Sequence, residues 1–296
     1  MKNDIRKQLI AVVACCFCAF GGALAQPVRT LIESIDLKCY RIEGDIRPLN
    51  LPLTLEHLNP VIRELGAPPE RVIVREPQQL CVPVMKNGRL PDPMVLDFIA
   101  YLDLKCYRIE SDITFLGLPL LLDHLNPVFI DFGIPPENVV MLDPQQLCVP
   151  VAENGRIPPP QVLHFVENVD LKCYGIQSDV QTLELRLVLD HLNPVLQEMG
   201  APPENVIVHE PQQLCVPVAK NGRIPPADVL PYVSFLDLKK YKIESDIPSL
   251  DIPLHLDHLN PVFRQFGVPP EDVIVREPQQ LGVPVAKNGR FPPADW

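Results

Sequence analysis

The chain has 296 residues, 47% of them apolar and 21% charged, with 36 prolines, nine cysteines and a net charge of −11. Such an apolar share demands a folded core and excludes a disordered chain. The prolines exclude long helices and coiled coils, because each internal one removes a backbone donor and clashes with the preceding turn. The acidic balance excludes a nucleic-acid role, which needs a basic face against phosphates.

In chain order, Lys2, Arg6 and Lys7 precede an apolar run from Leu9 to Phe20 and then Ala23-Leu24-Ala25. That order predicts a secretory signal peptide over 1–25, too short in its apolar part to anchor, cut to leave Gln26 first. Its removal takes three positive charges and one negative from −11, leaving −13. A second reading treats Val12-Val13-Ala14-Cys15 as a lipoprotein box with Cys15 acylated. The expected location is secreted or periplasmic, with anchoring through Cys15 as the alternative.

The rest is a repeat. DLKCY at Asp36 returns at Asp103 and Asp170 and as DLKKY at Asp237, always 67 residues on. HLNPV at His57, His124, His191 and His258, PQQL at Pro77, Pro144, Pro211 and Pro278, and NGR at Asn87, Asn154, Asn221 and Asn288 keep the same register. A fixed period without insertions predicts a tandem array of four units, over 26–92, 93–159, 160–226 and 227–296.

Within a unit the predicted elements are short. Leu37 to Ile42, the alternating Leu51, Leu53 and Leu55, Val72 to Val74, and Leu80 to Val84 read as four strands. Pro83 lacks a donor, so its strand is expected at an edge, or with that position turned outward. Asn59-Pro60 before Val61, Ile62, Leu65 and Gly66 predicts a one- to two-turn helix: Asn caps it, Pro starts it and Gly stops it. Asn87-Gly88 predicts a tight turn. At the seams, Val95, Phe98, Ile99 and Leu102 have helical spacing, although Pro231 interrupts the third. The fold class is mainly β, small β-rich domains with a short helix each. If each is a compact globule, the array is about 110 Å long.

Six cysteines follow residue 25, one pair per unit: Cys39 and Cys81, Cys106 and Cys148, Cys173 and Cys215. The fourth unit changes both positions, to Lys240 and Gly282, and joint loss is what a bonded pair predicts. In an exported chain this gives three disulfides within units, each contributing at most ~4 kcal/mol by loop-closure entropy to a unit that is marginal unaided. Two cysteines per unit do not complete a zinc site.

No catalytic constellation emerges. Glu56-His57 and its counterparts lie on an extended segment, where neighbours point to opposite faces, and are assigned to a turn or helix entry. Ser111, Ser178 and Ser245 align with Gly44, so no nucleophile holds a fixed place. Glu43-Gly44-Asp45 lacks the acidic loop that calcium needs and reads as a solvated turn. The Gln78-Gln79 doublet is expected to satisfy nearby backbone, Tyr40 and its counterparts to pack inside, and His164, His209 and His255 to lie at the surface. Trp296 stands at the very end. No cofactor or metal is expected.

DLKCY paired with PQQLCVPV-KNG in tandem resembles a family of uncharacterised, cysteine-paired repeats in exported bacterial proteins. The resemblance covers nearly all of 27–296, lacking only the fourth unit's thiols, and implies an extracytoplasmic β-rich module without an assigned activity. The functional expectation is a non-enzymatic spacer, surface component or binding module, with a repeated extracellular or cell-surface ligand as its partner. The alternative is an exported hydrolase or metal-dependent enzyme with a site between units.

Overall fold

The computed structural model describes residues 27–44 and 48–294. The expected signal segment with Cys15 and Gln26, and also Asp45 and Trp296, lie outside these residues. The protein is mainly β, four repeats of two short helices, two short strands and one long strand, with all the strands in one sheet.

Four strands carry the DLKCY motif: β1 (Leu37–Gly44), β4 (Leu104–Ser111), β7 (Leu171–Ser178) and β10 (Leu238–Ser245). Four long ones carry PQQL: β3 (Glu70–Lys86), β6 (Glu137–Glu153), β9 (Glu204–Lys220) and β12 (Glu271–Lys287). They alternate in an antiparallel ring, β1-β3-β4-β6-β7-β9-β10-β12, and β12 pairs back onto β1. Closure leaves this ring no open edge. The straight array of about 110 Å therefore does not form: the edge that the first unit offers is taken by the fourth.

Each long strand joins two segments that the sequence reads as separate strands. Val72–Val74 and Leu80–Val84 are halves of β3, bent by bulges on either side of Pro77. Pro83 is buried inside this strand rather than at an edge. Its missing N–H falls at a handover, since pairing with β4 ends at Cys81 and pairing with β8 (Leu185–His191) begins at Val84. Past each long strand, the Asn-Gly pair turns the chain with both residues at positive φ, 51° for Asn87 and 70° for Gly88.

The remaining strands, β2 (Leu51–His57), β5 (Leu118–His124), β8 and β11 (Ile252–His258), flank the ring and exchange between opposite units. β2 pairs with β3 of its own unit and with the tip of β9 in the third; β8 pairs with β9 and with the tip of β3. β5 and β11 exchange likewise between the second and fourth. Four caps follow these strands: α2 (Pro60–Glu64), α4 (Pro127–Asp131), α6 (Pro194–Glu198) and α8 (Pro261–Gln265), each begun by the expected asparagine. The seam helices α1 (Val28–Glu33), α3 (Pro93–Ala100), α5 (Pro160–Val166) and α7 (Leu230–Val233) pack together with the inward residues of the ring, Leu37, Cys39 and Leu104 among them. Pro231 leaves α7 only four residues.

Four smaller cores lie outside the ring, and each takes residues from all four units. One joins Tyr40 and Leu80 to Val151, Leu196 and Val273; the others are its counterparts. No unit owns a complete core of its own.

Candidate functional site

The recurring polar residues converge between units in three buried settings. The first is a quartet from opposite units. Tyr40 and Lys38 of the first meet His191 and Glu204 of the third: the tyrosine hydroxyl donates to Glu204 at 2.6 Å and lies 3.0 Å from His191 Nε2, and Lys38 is ion-paired to Glu204. Reciprocally, Tyr174 and Lys172 meet His57 and Glu70. Tyr107 with His258, and Lys105 with Glu271, build the third, and Tyr241, Lys239, His124 and Glu137 the fourth.

The direction of these bonds fixes the protons. In three quartets the tyrosine O–H is spent on the glutamate, so histidine donates through Nε2 and is left with a bare Nδ1. All four Nδ1 atoms are buried without a partner. Burial lowers these histidines, to about 3 at His124 and His258, so they are neutral. At Glu70 and Glu204 burial acts against ionisation but is outweighed by the adjacent histidine and lysine, which hold each carboxyl down at about 2. The serines complete the carboxylates: Ser111 donates to Glu70, Ser178 to Glu137 and Ser245 to Glu204, while Gly44 leaves Glu271 without that bond.

The second setting links consecutive units. Asn126 caps α4 by accepting from Val128 and Phe129, and its amide donates to Asp36 at 2.8 Å. Asp36 also receives Lys86 Nζ at 2.5 Å. Asp170 with Lys220 and Asn260, and Asp237 with Lys287 and Asn59, repeat the arrangement. The second unit departs from it, for Glu153 stands where the others have lysine.

The third setting fills the ring. Cys39–Cys81, Cys106–Cys148 and Cys173–Cys215 are disulfides, with 3.7 Å from Cys81 Sγ to Cys106 Sγ and from Cys148 Sγ to Cys173 Sγ. Lys240 fills the fourth place and crosses the interior. Its Nζ lies 3.4 Å from Gln79 Oε1 and Gln146 Oε1 and 3.8 Å from Cys106 Sγ, with no carboxylate, and burial lowers the amine to about 7. Beside this belt the glutamine doublets bond around the ring, Gln79 to Gln279, Gln146 to Gln78, Gln213 to Gln145 and Gln280 to Gln212. The doublets therefore join units instead of satisfying local backbone.

Glu56 and His57 end strand β2 rather than form a turn or helix entry; their expected separation is seen, the histidine buried against Tyr174 of the opposite unit and the acid half-exposed. Tyr40 and its counterparts are wholly buried. Glu43 is held in ion pairs by Arg41 and Arg276. His164 is partly exposed against Asp228, and His255 is exposed. Glu70, Lys38 and Lys86 escaped the sequence reading as partners. Their signal was present, a charged residue at one place in every unit, but most of their mates are far off in the chain. Among the described residues, no three His, Cys, Asp or Glu side chains gather as a metal site, and no helix is long and apolar enough to cross a membrane. No family model, curated protein or solved structure matches the chain.

Proposed function

We propose that this is a non-enzymatic binding module of an oxidising, extracytoplasmic space. The observation that carries the reading is where the repeated chemistry goes: the histidines, tyrosines, glutamates and lysines that recur are buried and spent on bonds between units. A histidine beside a tyrosine and a carboxylate has the parts of an acid–base site, yet a general base must reach its substrate's proton. The disulfides, the apolar N-terminal segment and the resemblance to exported cysteine-paired repeats support the compartment.

Recognition then belongs to the outer surface, where one groove recurs on opposite units. Pro52, Thr54, Ile73, Asp112 and Asn221 line one copy, and Arg186, Val188, Ile207, Asp246 and Asn87 the other. Two copies on one rigid body suit a repeated ligand, since a weak contact gains avidity when made twice. In an assay panel of ester, peptide, glycoside and phosphoester hydrolysis, no turnover is expected. Turnover lost in a folded His191→Ala protein would overturn the reading. Retention of a cell-surface or matrix fraction should fall further with Ile73→Asp and Ile207→Asp together than with either alone; equal retention by the double variant would also count against it.

A further inference from the structure

The second unit breaks the buried pairing that its three sisters keep. Asp36, Asp170 and Asp237 each hold a lysine ammonium, and all six of these side chains are buried. Asp103 is their counterpart and is as buried as they are, but the residue 50 positions on is Glu153. Glu153 is 1% exposed, and neither of its carboxylate oxygens has a partner at ordinary hydrogen-bond distance, the Asn193 amide acting on it only from farther off. Asn193 gives its amide to Asp103 at 2.7 Å while its oxygen caps α6. Arg156, the nearest cation in sequence, is turned to Glu198 at 2.6 Å. Two carboxyls thus share a place built around a positive charge. Burial raises both, Asp103 to about 8, and Asp103 raises Glu153 further by its own charge.

We propose that Asp103 and Glu153 hold a divalent cation, calcium by its chemistry, in the place where the sister units hold a lysine ammonium. Glutamate is shorter than lysine, so its carboxylate does not extend as far along the side chain as the sister Nζ, and an ion is needed to join it to Asp103. Four oxygens from two acidic groups suit a hard cation. Calcium accepts irregular geometry and carboxylates bound through one or both oxygens, whereas magnesium demands a near-ideal octahedron and sheds water reluctantly. In the first unit a crevice lined by Ser34, Arg89 and Asn126 opens onto Asp36 and Lys86, and in the third another reaches Asp170 and Lys220; an ion would enter the second unit by the equivalent path. An ion bound to the folded chain alone stabilises it by mass action.

The test uses the full chain with its disulfides intact, freed of metal by chelator and titrated with calcium chloride at pH 7.5. One calcium per chain is expected by calorimetry, with the unfolding midpoint rising as calcium is added. Glu153→Gln should weaken binding at least tenfold. Glu153→Lys should restore the sister pair, raise the midpoint without calcium and abolish the response. The proposal is overturned if the unaltered protein shows no calcium-dependent shift, as when the two carboxyls share a proton instead, or if Glu153→Lys responds as strongly. Should Glu153→Lys fail to fold, the Glu153→Gln comparison decides alone.

Discussion

Lys240 has no anion within reach, only amide oxygens and sulfurs, so its burial is a cost that the fold carries. Its cross-strand partner is Gly282, in the relation of Cys106 to Cys148. A Cβ added at Gly282 meets nothing closer than 3.6 Å. Lys240→Cys with Gly282→Cys is therefore expected to close a fourth disulfide and stabilise by up to ~4 kcal/mol, the chain-entropy value for so long a loop. Intact mass under non-reducing conditions and denaturant unfolding check it. The histidines set a pH response. His124 and His258 titrate at about 3 in the fold, against 6.5 in the open chain. Below pH 6.5 the unfolded chain binds protons that the fold refuses, so stability falls as pH drops toward 3, by about 3 kcal/mol per histidine at pH 4.5. Glu70 and Glu204, at about 2, add to the loss as pH falls below 4.5. Asp237, raised to about 6 by burial, acts in the opposite sense, losing stability as pH rises from 3.8 through 6. Denaturant midpoints from pH 7.5 to 4 should decline, and less steeply with His124→Gln and His258→Gln together.

At the level of elements, the caps do more than start helices. Asn126 satisfies the first turn of α4 and also donates to buried Asp36. Loss of an ordinary cap costs about 1 kcal/mol and a buried acceptor left short costs about 1–3 more. Asn126→Ala should therefore destabilise by roughly 2–4 kcal/mol, against ~1 for loss of the exposed cap Asp92. The local elements were legible because their signals are local. Asn59-Pro60 announces the cap, Asn87-Gly88 the turn, and Leu51, Leu53 and Leu55 a strand with one buried face. The long strands were not, because Pro77 and Pro83 look like breaks until the bulges and the change of partner are seen. The quartets were illegible for a different reason. Tyr40 and His191 stand 151 residues apart, and periodicity says that each recurs without saying which copy meets which.

Across the whole molecule, closure makes four similar units one cooperative body. Repeat chains stacked end to end tolerate losing a unit because each touches only its neighbours. Here a chain ending at residue 226 would leave Lys105 without Glu271, Tyr107 without His258 and Glu137 without Lys239. Such a chain should fail to fold, by circular dichroism and by proteolysis, while the full chain unfolds in one transition. Small-angle scattering should give a radius of gyration of about 18 Å, the value for one compact body of some 270 residues, where an extended array would be far larger.

The exchange between opposite units also governs the order of events in time. The first unit's Tyr40 has no acceptor until Glu204 has been made, and Glu70 waits for Lys172. A half-finished chain thus stays adhesive, its strands exposed to whatever lies near. The partners that it lacks are present on any other copy in the same state, so two molecules trading halves is the error this topology invites, and dilution during refolding is its remedy.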